Sequence, residues 1–464
     1  MPGQVRFGTD GIRGVANAEL TPELVLALGR AAARVLPAET FVIGRDTRRS
    51  GTMLSSALAS GLSSEGADII DIGVLPTPAV AWMSAKLGVP AAVVSASHNP
   101  FGDNGVKLLA AGGIKLSQAT ERLIEEELGA IVSGVERGPL RPVGHGVGRV
   151  EGDPTAADSY VEHLVGLLDG RRLDGLKVVL DGANGAACVV GPEAFRAAGA
   201  EVHVIACEPD GANINDGCGS THPESLAAEV VSLGADMGLA FDGDADRLVA
   251  VDHLGGVATG DELLVMFASD MAERGRLAGR TIVVTVMSNL GLHIAMQERS
   301  IAVRETAVGD RNVLEALDAD GLALGGEQSG HIIFREHATT GDGVLTGLFL
   351  ADLVRRSGKP LHDLVAGSMS RVPQQLVNVS VPDPELAVGD PGVQSEVAAI
   401  SQDLGDRGRV LLRASGTEPL VRVMVEAQDH EVADAYIERL RGAVLATLEH
   451  HVAAQPESAT NSTS

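Results

Sequence analysis

The chain places a serine beside a histidine in residues 95–100 (SASHNP), directly after the apolar residues 91–94. The apolar run predicts a β-strand and the Asn-Pro pair predicts a turn, so Ser97 and His98 are expected in a loop at the end of the strand. Serine is a poor nucleophile unless a neighbour activates it, and a phosphorylated serine reacts only where its developing charge is stabilised. Taken alone, the segment fits a hydrolase nucleophile, a phosphoryl carrier or an ordinary turn.

Carboxylates cluster in residues 242–247 (DGDADR), which follow the apolar residues 237–241. The three carboxylates are those of Asp242, Asp244 and Asp246. Their alternation with small residues places them on one side of an extended segment, and clustered like charges are costly without a cation. Carboxylate oxygens suit Mg²⁺ or Ca²⁺, but an EF-hand is excluded because its sixth and twelfth positions would be Arg247 and His253. The sequence predicts a divalent-cation site in preference to a solvated acidic turn.

Residues 326–331 (GEQSGH) follow an apolar run and hold Glu327 and Ser329 between glycines. Side chains that form hydrogen bonds in such a loop could hold adjacent sugar hydroxyls, and the alternative is a plain β-turn. Nearby, Asp342 is predicted to cap a helix that runs through Leu350.

Residues 413–419 (RASGTEP) lie between two strand patterns. Arginine, hydroxyl groups and glycine-exposed amides form a natural cradle for a phosphate dianion, and the alternative is a hairpin with a surface arginine. The candidate groups are those of Arg413, Ser415, Gly416, Thr417 and, further along, Arg422. At the other end of the chain, residues 7–14 (FGTDGIRG) offer Arg13, and residues 44–51 (GRDTRRSG) form a further loop where a charged group could sit.

Strand and helix patterns alternate through most of the sequence, which predicts an α/β architecture with parallel or mixed sheets. Three apolar strands, at residues 41–43, 177–180 and 237–241, each lead into a polar, glycine-rich loop. Ligand sites of α/β domains usually lie at the carboxyl ends of strands, so these loops predict related units that each present a loop to a ligand.

The last part of the chain has a different pattern. Strand patterns at residues 376–381, 409–412 and 420–425, followed by an amphipathic helix over residues 431–448, predict a smaller α+β domain. The predicted divisions are residues 1–150, 151–255, 256–369 and 370–450, with a disordered Ser/Thr-rich tail at 451–464.

Composition narrows the classes of partner. The net charge of −26 argues against nucleic acid and anionic membranes, and an aromatic content of 2% argues against recognition by stacking. The three cysteines are odd in number and form no CxxC pair, which favours reduced thiols in the cytoplasm. Neither a signal peptide nor an apolar run long enough to span a membrane is predicted.

The four loops together, in this order, resemble those of the α-D-phosphohexomutase superfamily. The resemblance extends from Phe7 to about Leu448. It implies four domains around a central cleft: three related α/β domains and a smaller C-terminal α+β domain. Each would contribute one loop, carrying in turn the phosphoserine, the metal, the sugar and the phosphate.

The resemblance also implies roles for individual residues. Ser97 would be the phosphorylated serine and would complete a Mg²⁺ site with the three aspartates, while Glu327 and Ser329 would hold sugar hydroxyls. The phosphate that does not react would be held by Arg413, Ser415, Gly416, Thr417 and Arg422. The transferring group would be surrounded by Arg13, Arg247, His98 and Lys107, with Lys107 as a candidate proton shuttle and Arg45 also directed into the cleft.

Residues 7–14, residues 217–224 (GCGSTHPE) and Gln328 resemble the branch of the superfamily that acts on glucosamine phosphates. The implied reaction interconverts glucosamine 6-phosphate and glucosamine 1-phosphate through a 1,6-bisphosphate, feeding UDP-N-acetylglucosamine and peptidoglycan precursors. Asn312 departs from the pattern, which has an aromatic there, and local packing is expected to differ. A homodimer is also compatible with the resemblance.

Three alternatives remain open at this point. The first is a phosphomannomutase or phosphoglucomutase with the same chemistry. The second is a sugar phosphatase with an aspartyl nucleophile, which would release free phosphate. The third is a sugar-phosphate sensor without activity.

Overall fold

The computed structural model describes residues 7–8, 11–135, 140–414 and 419–453, with side chains described as far as residue 447. The chain divides into two compact units. The first comprises Met1–Met287 and Arg299–Ser368, and the second comprises Ser288–Glu298 and Met369–Ser464.

The first sheet of the first unit contains the strand that precedes Ser97. The elements here are β1 (Ile12–Val15), α1 (Pro22–Val35), β2 (Thr40–Arg45), α2 (Gly51–Ser64), β3 (Asp68–Val74), α3 (Thr77–Leu87), β4 (Ala91–Val94), β5 (Asp103–Ala110), β6 (Ile114–Lys115), α4 (Gln118–Val132) and β7 (Val150–Gly152). The strand order is β1-β5-β4-β2-β3-β7, with β6 paired to β5. Strands β4, β2, β3 and β7 run parallel, whereas β5 is antiparallel to both β1 and β4.

Helices α1 and α2 cross closely on this sheet because a glycine stands at each side of the crossing. A Cβ on Gly29 would lie 2.4 Å from the Leu58 carbonyl oxygen, and one on Gly61 would lie 2.2 Å from that of Leu26. The crossing buries Leu28, Leu54, Leu58 and Leu62 against the sheet.

The second sheet carries the aspartate loop. Its elements are α5 (Ala156–Gly166), β8 (Lys177–Asp181), α6 (Ala187–Ala198), β9 (Glu201–Ile205), α7 (Glu224–Leu233), β10 (Met237–Phe241), β11 (Leu248–Asp252) and β12 (Val257–Ala258). The order is β12-β11-β10-β8-β9, in which β10, β8 and β9 are parallel and β11 returns antiparallel to β10. Strand β10 is buried throughout, so its apolar residues place the aspartates at the end of a rigid strand.

The third sheet carries the loop of Glu327. Its elements are α8 (Gly260–Glu273), β13 (Thr281–Thr285), β14 (Ala302–Thr306), α10 (Asp310–Asp320), β15 (Leu324–Gly326), β16 (Ile332–Phe334), α11 (Gly343–Ser357) and α12 (Leu361–Ala366); helix α9 (Leu290–Glu298) lies between β13 and β14 in the chain but belongs to the second unit. The order is β14-β13-β15-β16, with only β16 antiparallel to its neighbour. Asp342 caps α11 as predicted, since its Oδ1 accepts a hydrogen bond from Leu345 N at 2.9 Å.

The second unit is a smaller α+β fold. Besides α9 it contains β17 (Gln374–Ser380), α13 (Pro384–Gly389), α14 (Pro391–Leu404), β18 (Arg409–Ala414), β19 (Leu420–Glu426) and α15 (His430–Ala453). The antiparallel sheet β17-β19-β18 packs its apolar face against the helices, with Val423, Ile400, Ile437 and Leu440 at the centre of the core. Short 3-10 turns occur at Gly144–Gly146, Ala278–Arg280 and Gly405–Arg407.

The fold class predicted from the sequence is confirmed: three α/β sheets with mixed strand directions precede a smaller antiparallel α+β unit. Among the described helices, none is long and apolar enough to cross a membrane.

Candidate active site

Ser97 lies in a buried loop directly after β4 and faces the aspartate loop of the second sheet. Its Oγ donates a hydrogen bond to Asp242 Oδ2 at 2.5 Å and lies 3.3 Å from His98 Nδ1. Its backbone is in the left-handed region, with φ of 51°, which L-residues adopt only when the surroundings hold them there. The serine predicted from the sequence is therefore aimed at the predicted metal ligands.

Arg48 holds the loop of Ser97 in this conformation. Its guanidinium donates to the carbonyl oxygens of Ser97 at 2.9 Å and Asn99 at 2.8 Å, and also to those of Pro100 and Asp103. The arginine is fully buried and its charge is matched by Asp46, whose Oδ2 lies 2.9 Å from Nε. Because four carbonyls converge on one planar cation, the strained loop is locked by charge-assisted hydrogen bonds.

The aspartate loop approaches the serine loop closely. A Cβ on Gly243 would lie 2.6 Å from the Ser97 carbonyl oxygen, so only glycine permits this contact. The next residue but one, Ala245, has φ of 54°, which turns the loop so that Asp244 and Asp246 point back toward Asp242. Ligand oxygens of the three aspartates all lie within 4.8 Å of one another.

Only some of the carboxylate oxygens of the three aspartates accept hydrogen bonds from the protein. Asp244 Oδ2 accepts hydrogen bonds from Thr77 Oγ1 at 2.6 Å and Lys107 Nζ at 2.9 Å. Oδ1 of Asp244 and Oδ1 of Asp246 are buried, and in the described residues neither has a hydrogen-bond partner. Buried carboxylate oxygens left open in this way fit a hard divalent cation, so the residues present are suited to Mg²⁺.

The electrostatics of the site support the same interpretation. Burial, together with the charges of Asp246 and Asp244, raises the pKa of Asp242 well above its usual range. Burial also opposes the charge of Asp246, but Lys107, His331 and Arg247 outweigh it and lower the pKa of Asp246. The site thus holds one carboxylate that stays charged and another whose charge needs a further cation.

Basic residues surround the aspartates. Lys107 Nζ lies 3.7 Å from Asp246 Oδ2, and Arg247 Nε lies 3.8 Å from Asp246 Oδ1. Burial, followed by the charges of Arg247 and Arg13, lowers the pKa of His98 to about 4, so this imidazole is neutral near pH 7. Arg13 stands on β1 opposite Gly105, where a Cβ would touch the arginine side chain at 2.9 Å.

The loop of Glu327 and Ser329 is tied to the aspartate loop through β11. Glu327 Oε1 accepts a hydrogen bond from Gly309 N at 3.0 Å, and Oε2 lies 3.4 Å from Ser329 Oγ. Leu248 N, at the start of β11, donates to the Gly330 carbonyl oxygen at 3.0 Å. The first unit therefore brings the serine, aspartate and glutamate loops of its three sheets together.

Arg413 and Arg422 lie in the second unit as direct partners on the antiparallel strands β18 and β19. The two arginines of the predicted phosphate site are therefore neighbours on this sheet. Ser415, Gly416 and Thr417 lie outside the described residues.

Comparison with known proteins shows the family of the chain. Four family models of the description phosphoglucomutase/phosphomannomutase match it: α/β/α domain I at residues 4–133, domain II at 158–255, domain III at 259–372 and the C-terminal domain at 376–443. A phosphoglucosamine mutase of Rhodococcus opacus (strain B4) is 53% identical over 94% of this chain and 98% of the relative. The chain belongs to the phosphoglucomutase/phosphomannomutase family. The superfamily resemblance predicted from the loops is confirmed.

Solved structures of the family have the same fold. A family protein from Burkholderia thailandensis superposes with a TM-score of 0.80 at 26% identity, covering 97% of this chain and 98% of that one. The N-acetylphosphoglucosamine mutase of Aspergillus fumigatus, solved in complex with GlcNAc-6P and magnesium, superposes with a TM-score of 0.67 at 18% identity, covering 95% of each chain. At that identity the second comparison supports the fold alone.

Sequence reasoning missed Arg48, Thr77 and His331 in this family member. The charged loop at residues 44–51 was predicted to receive a charged group, but its buried arginine binds the serine loop, whereas Arg45 pairs with Asp71 at 3.1 Å. His331 Nδ1 lies 3.7 Å from Asp246 Oδ2, and its Nε2 accepts a hydrogen bond from Gly341 N. The Arg-x-x-Arg pattern of residues 45–48 after a strand is the available signal for Arg48, and the GEQSGH segment includes His331 but gives it no role. Thr77 has no such signal.

The departure at Asn312 has a local structural reason. Its Nδ2 donates to the carbonyl oxygens of Val308 at 2.9 Å and Ala307 at 3.3 Å. The side chain therefore closes the turn before α10 by hydrogen bonding instead of by aromatic packing.

Proposed function

We propose that this protein interconverts glucosamine 6-phosphate and glucosamine 1-phosphate, with Ser97 as the phosphoryl carrier. The observation that carries the proposal is the contact of 2.5 Å between Ser97 Oγ and Asp242 within a buried set of three aspartates. The choice of sugar is supported by relatives named phosphoglucosamine mutase that are about half identical over nearly the whole chain.

In the proposed cycle, Ser97 starts as a phosphoserine. Its phosphoryl group passes to O1 of glucosamine 6-phosphate as the Ser97 Oγ–P bond breaks, giving glucosamine 1,6-bisphosphate. The bisphosphate reorients, the phosphoryl group on O6 returns to Ser97, and glucosamine 1-phosphate leaves. The strained, Arg48-locked loop keeps Oγ at one position for both transfers, which is the positioning that phosphoryl transfer requires.

Asp242, Asp244 and Asp246, completed by the phosphorylated Ser97, would hold Mg²⁺. When bound, that ion supplies the positive charge that lets a phosphoserine and a sugar phosphate approach each other. The open Oδ1 atoms of Asp244 and Asp246 support this role.

The basic residues around Ser97 are proposed to act on the transferring group. Arg13 and Arg247 would offset its charge. Neutral His98, 3.3 Å from Ser97 Oγ, would exchange a hydrogen bond with that oxygen rather than add charge. In the first transfer the proton of O1 ends on Ser97 Oγ, and in the second the proton of Oγ ends on O6. Lys107, whose Nζ lies 2.9 Å from Asp244 Oδ2, would be the candidate shuttle for this proton.

The remaining candidate residues are proposed to hold the substrate. Glu327 would accept hydrogen bonds from sugar hydroxyls, and Ser329 would donate hydrogen bonds to them or accept them. The phosphate that does not react would be held by Arg413, Ser415, Gly416, Thr417 and Arg422. Because the 1,6-bisphosphate carries a phosphate at each end, separate sites for its sugar and its distal phosphate fit the need to bind it in two orientations.

A substrate panel tests this proposal. Purified protein, given Mg²⁺ and a catalytic amount of the matching 1,6-bisphosphate, is assayed on glucosamine, glucose and mannose phosphates. We expect the highest kcat/KM with glucosamine phosphate. A preference for mannose or glucose phosphate would assign the chain to another activity of the family, and stoichiometric release of free phosphate would assign it to the phosphatases.

A further inference from the structure

Two cysteines meet beside the loop that follows β8. Cys188 lies in the first turn of α6, and Cys207 lies just after β9. A Cβ on Gly182 would lie 2.5 Å from the Cys207 sulfur and 2.9 Å from the Cys188 sulfur. Both sulfurs therefore border the same small space, which is open because residue 182 is glycine.

The two thiols differ in their surroundings. Cys188 Sγ donates weakly to the carbonyl oxygens of Ala206 at 3.6 Å and Gly182 at 3.7 Å. The neighbouring Cys188 thiol lowers the pKa of the Cys207 thiol, and the Cys207 thiol, together with burial, raises the pKa of the Cys188 thiol. Both residues are partly exposed, so small oxidants have access to them. Cys207 is the thiol that ionises first.

We propose that Cys188 and Cys207 form a redox-active dithiol that closes to a disulfide on exposure to hydroperoxides. The Cys207 thiolate attacks one peroxide oxygen, the O–O bond breaks and hydroxide leaves, which gives a sulfenic acid. Cys188 sulfur then attacks the Cys207 sulfur, the S–S bond forms, and the second oxygen leaves as water with the Cys188 proton. Two thiols and one hydrogen peroxide become one disulfide and two waters, and the two electrons lost by sulfur reduce the peroxide.

This site is connected to the aspartate loop by backbone contacts. A Cβ on Gly185 would lie 2.4 Å from the Gly243 carbonyl oxygen, and Ala186 N donates to the same oxygen at 2.8 Å. Asn184 accepts a hydrogen bond on its carbonyl from Thr47 Oγ1 at 2.5 Å, next to Arg48. Drawing the two sulfurs into a bond across Gly182 therefore shifts the loop on which Gly243 and its flanking aspartates rest.

The test counts free thiols in the full-length protein. The wild type is treated with hydrogen peroxide, denatured, alkylated with N-ethylmaleimide and weighed intact. We expect alkylation of all three cysteines before oxidation and of Cys218 alone afterwards. The mass of the oxidised protein, before alkylation, should be lower by two hydrogens, and dithiothreitol should restore it. Cys218→Ala is the matched control and still forms the bond, whereas Cys188→Ala and Cys207→Ala do not.

Mutase turnover is measured on the same samples. We expect oxidation to lower kcat about tenfold in the wild type and in Cys218→Ala, because a displacement of the aspartate loop smaller than the ~1 Å that can cost about 10²-fold should cost less. It should not lower kcat in Cys188→Ala or Cys207→Ala, which lack one sulfur of the pair. Retention of all three alkylations, or a bond that uses Cys218, would overturn the dithiol. Disulfide formation with unchanged turnover would overturn its coupling to the active site. The effect on turnover rests on the proposed function, but the thiol count does not.

Discussion

Two loops of the second sheet have similar sequences and different roles. Residues 181–185 (DGANG) begin at the last residue of β8, and residues 242–246 (DGDAD) directly follow its parallel neighbour β10. Each starts with a buried aspartate and a glycine, and each has an alanine in the left-handed region, Ala183 with φ of 53° and Ala245 with φ of 54°. The alanine is the third residue of the first loop and the fourth of the second, so two similar but not identical turns support a structural loop in one case and a candidate metal site in the other.

The difference lies in how the first aspartate is satisfied. Asp181 accepts hydrogen bonds on both oxygens, from Ala183 N and Gly219 N, each at 2.9 Å. Asp242 also accepts on both oxygens, but its partners are one amide, Arg247 N at 3.2 Å, and the hydroxyl of Ser97. It also faces two further carboxylates that have open oxygens. The loops therefore differ in the neighbours of the first aspartate: beside Asp181 no further carboxylate is left open in the loop, whereas beside Asp242 the carboxylates of Asp244 and Asp246 each keep a buried oxygen without a hydrogen bond.

The largest expected difference between the loops is in the response to Mg²⁺, which a variant of Asp181 should keep and a variant of Asp242 should lose. We expect a chelator to abolish turnover in the wild type and in Asp181→Asn, and Mg²⁺ to restore it, because Asp181 is not a ligand. Added Mg²⁺ should also raise the melting temperature of both proteins, but not that of Asp242→Asn. Full activity in the chelator-treated wild type would contradict the metal role.

Substituting the first aspartate of each loop compares them directly. Asp242→Asn should lower kcat about 10²–10³-fold, because it removes a ligand of the cation that offsets the charge of the transferring group. The matched variant Asp181→Asn should keep kcat within about threefold of the wild type. Equal losses in kcat for the two variants, measured on stably folded protein, would mean that the loops do not differ in role.

The second residue of each loop gives a smaller contrast. Gly243→Ala places a methyl group 2.6 Å from the Ser97 carbonyl oxygen, so we expect about a tenfold loss in kcat as the serine loop is displaced. In Gly182→Ala the added methyl group lies against the Cys188 and Cys207 sulfurs instead of the serine loop, so kcat should fall less than in Gly243→Ala. Steady-state kinetics of the two variants decide the point, and a larger loss for Gly182→Ala would contradict the account.

The smallest effect expected is on stability. Burial raises the pKa of Asp181, although the amides of Gly219 and Ala183 oppose this. The native state therefore holds this proton more tightly than the unfolded state, so the contribution to stability is present below the usual pKa and is lost as pH rises through the raised value. Asp181→Asn should remove that slope and lower the free energy of unfolding by about 1–3 kcal/mol through the lost amide contact. Denaturant titrations across this pH range measure both, and an unchanged slope would contradict the assignment.

The strand-end loops were accessible to sequence reasoning because each follows a run of apolar residues. Strand β4 occupies the predicted residues 91–94, and β8 and β10 extend or match the predicted runs, since buried central strands require such residues. The division of the chain at residues 150, 255 and 369 stays a prediction, as do the homodimer and the cytoplasmic location. Helix α9 shows why such divisions are hard to predict: it lies between two strands of the third sheet but belongs to the second unit.

Site residues were predictable where one short segment carries several of them, and not where residues from distant segments of the chain contact each other in the fold. The metal site is predictable from the spacing of Asp242, Asp244 and Asp246 in the sequence. Arg48 and Thr77 act on Ser97 and Asp244 from 49 and 167 residues away, which no local pattern shows. The contrast between Asp181 and Asp242 was equally hidden, because it depends on which backbone amides the folded chain brings to each carboxylate.

The central claim is that Ser97 carries the phosphoryl group, and a single-turnover transfer tests it most directly. Wild-type protein is charged with glucosamine 1,6-bisphosphate, freed of small molecules, mixed with one equivalent of glucosamine 6-phosphate and followed by intact mass, with Ser97→Ala as the control. The account predicts that the wild type alone carries one phosphoryl group on Ser97 and passes it to the sugar as bisphosphate. A Ser97→Ala protein that acquires the group, or a wild type that releases it as free phosphate, would contradict the account.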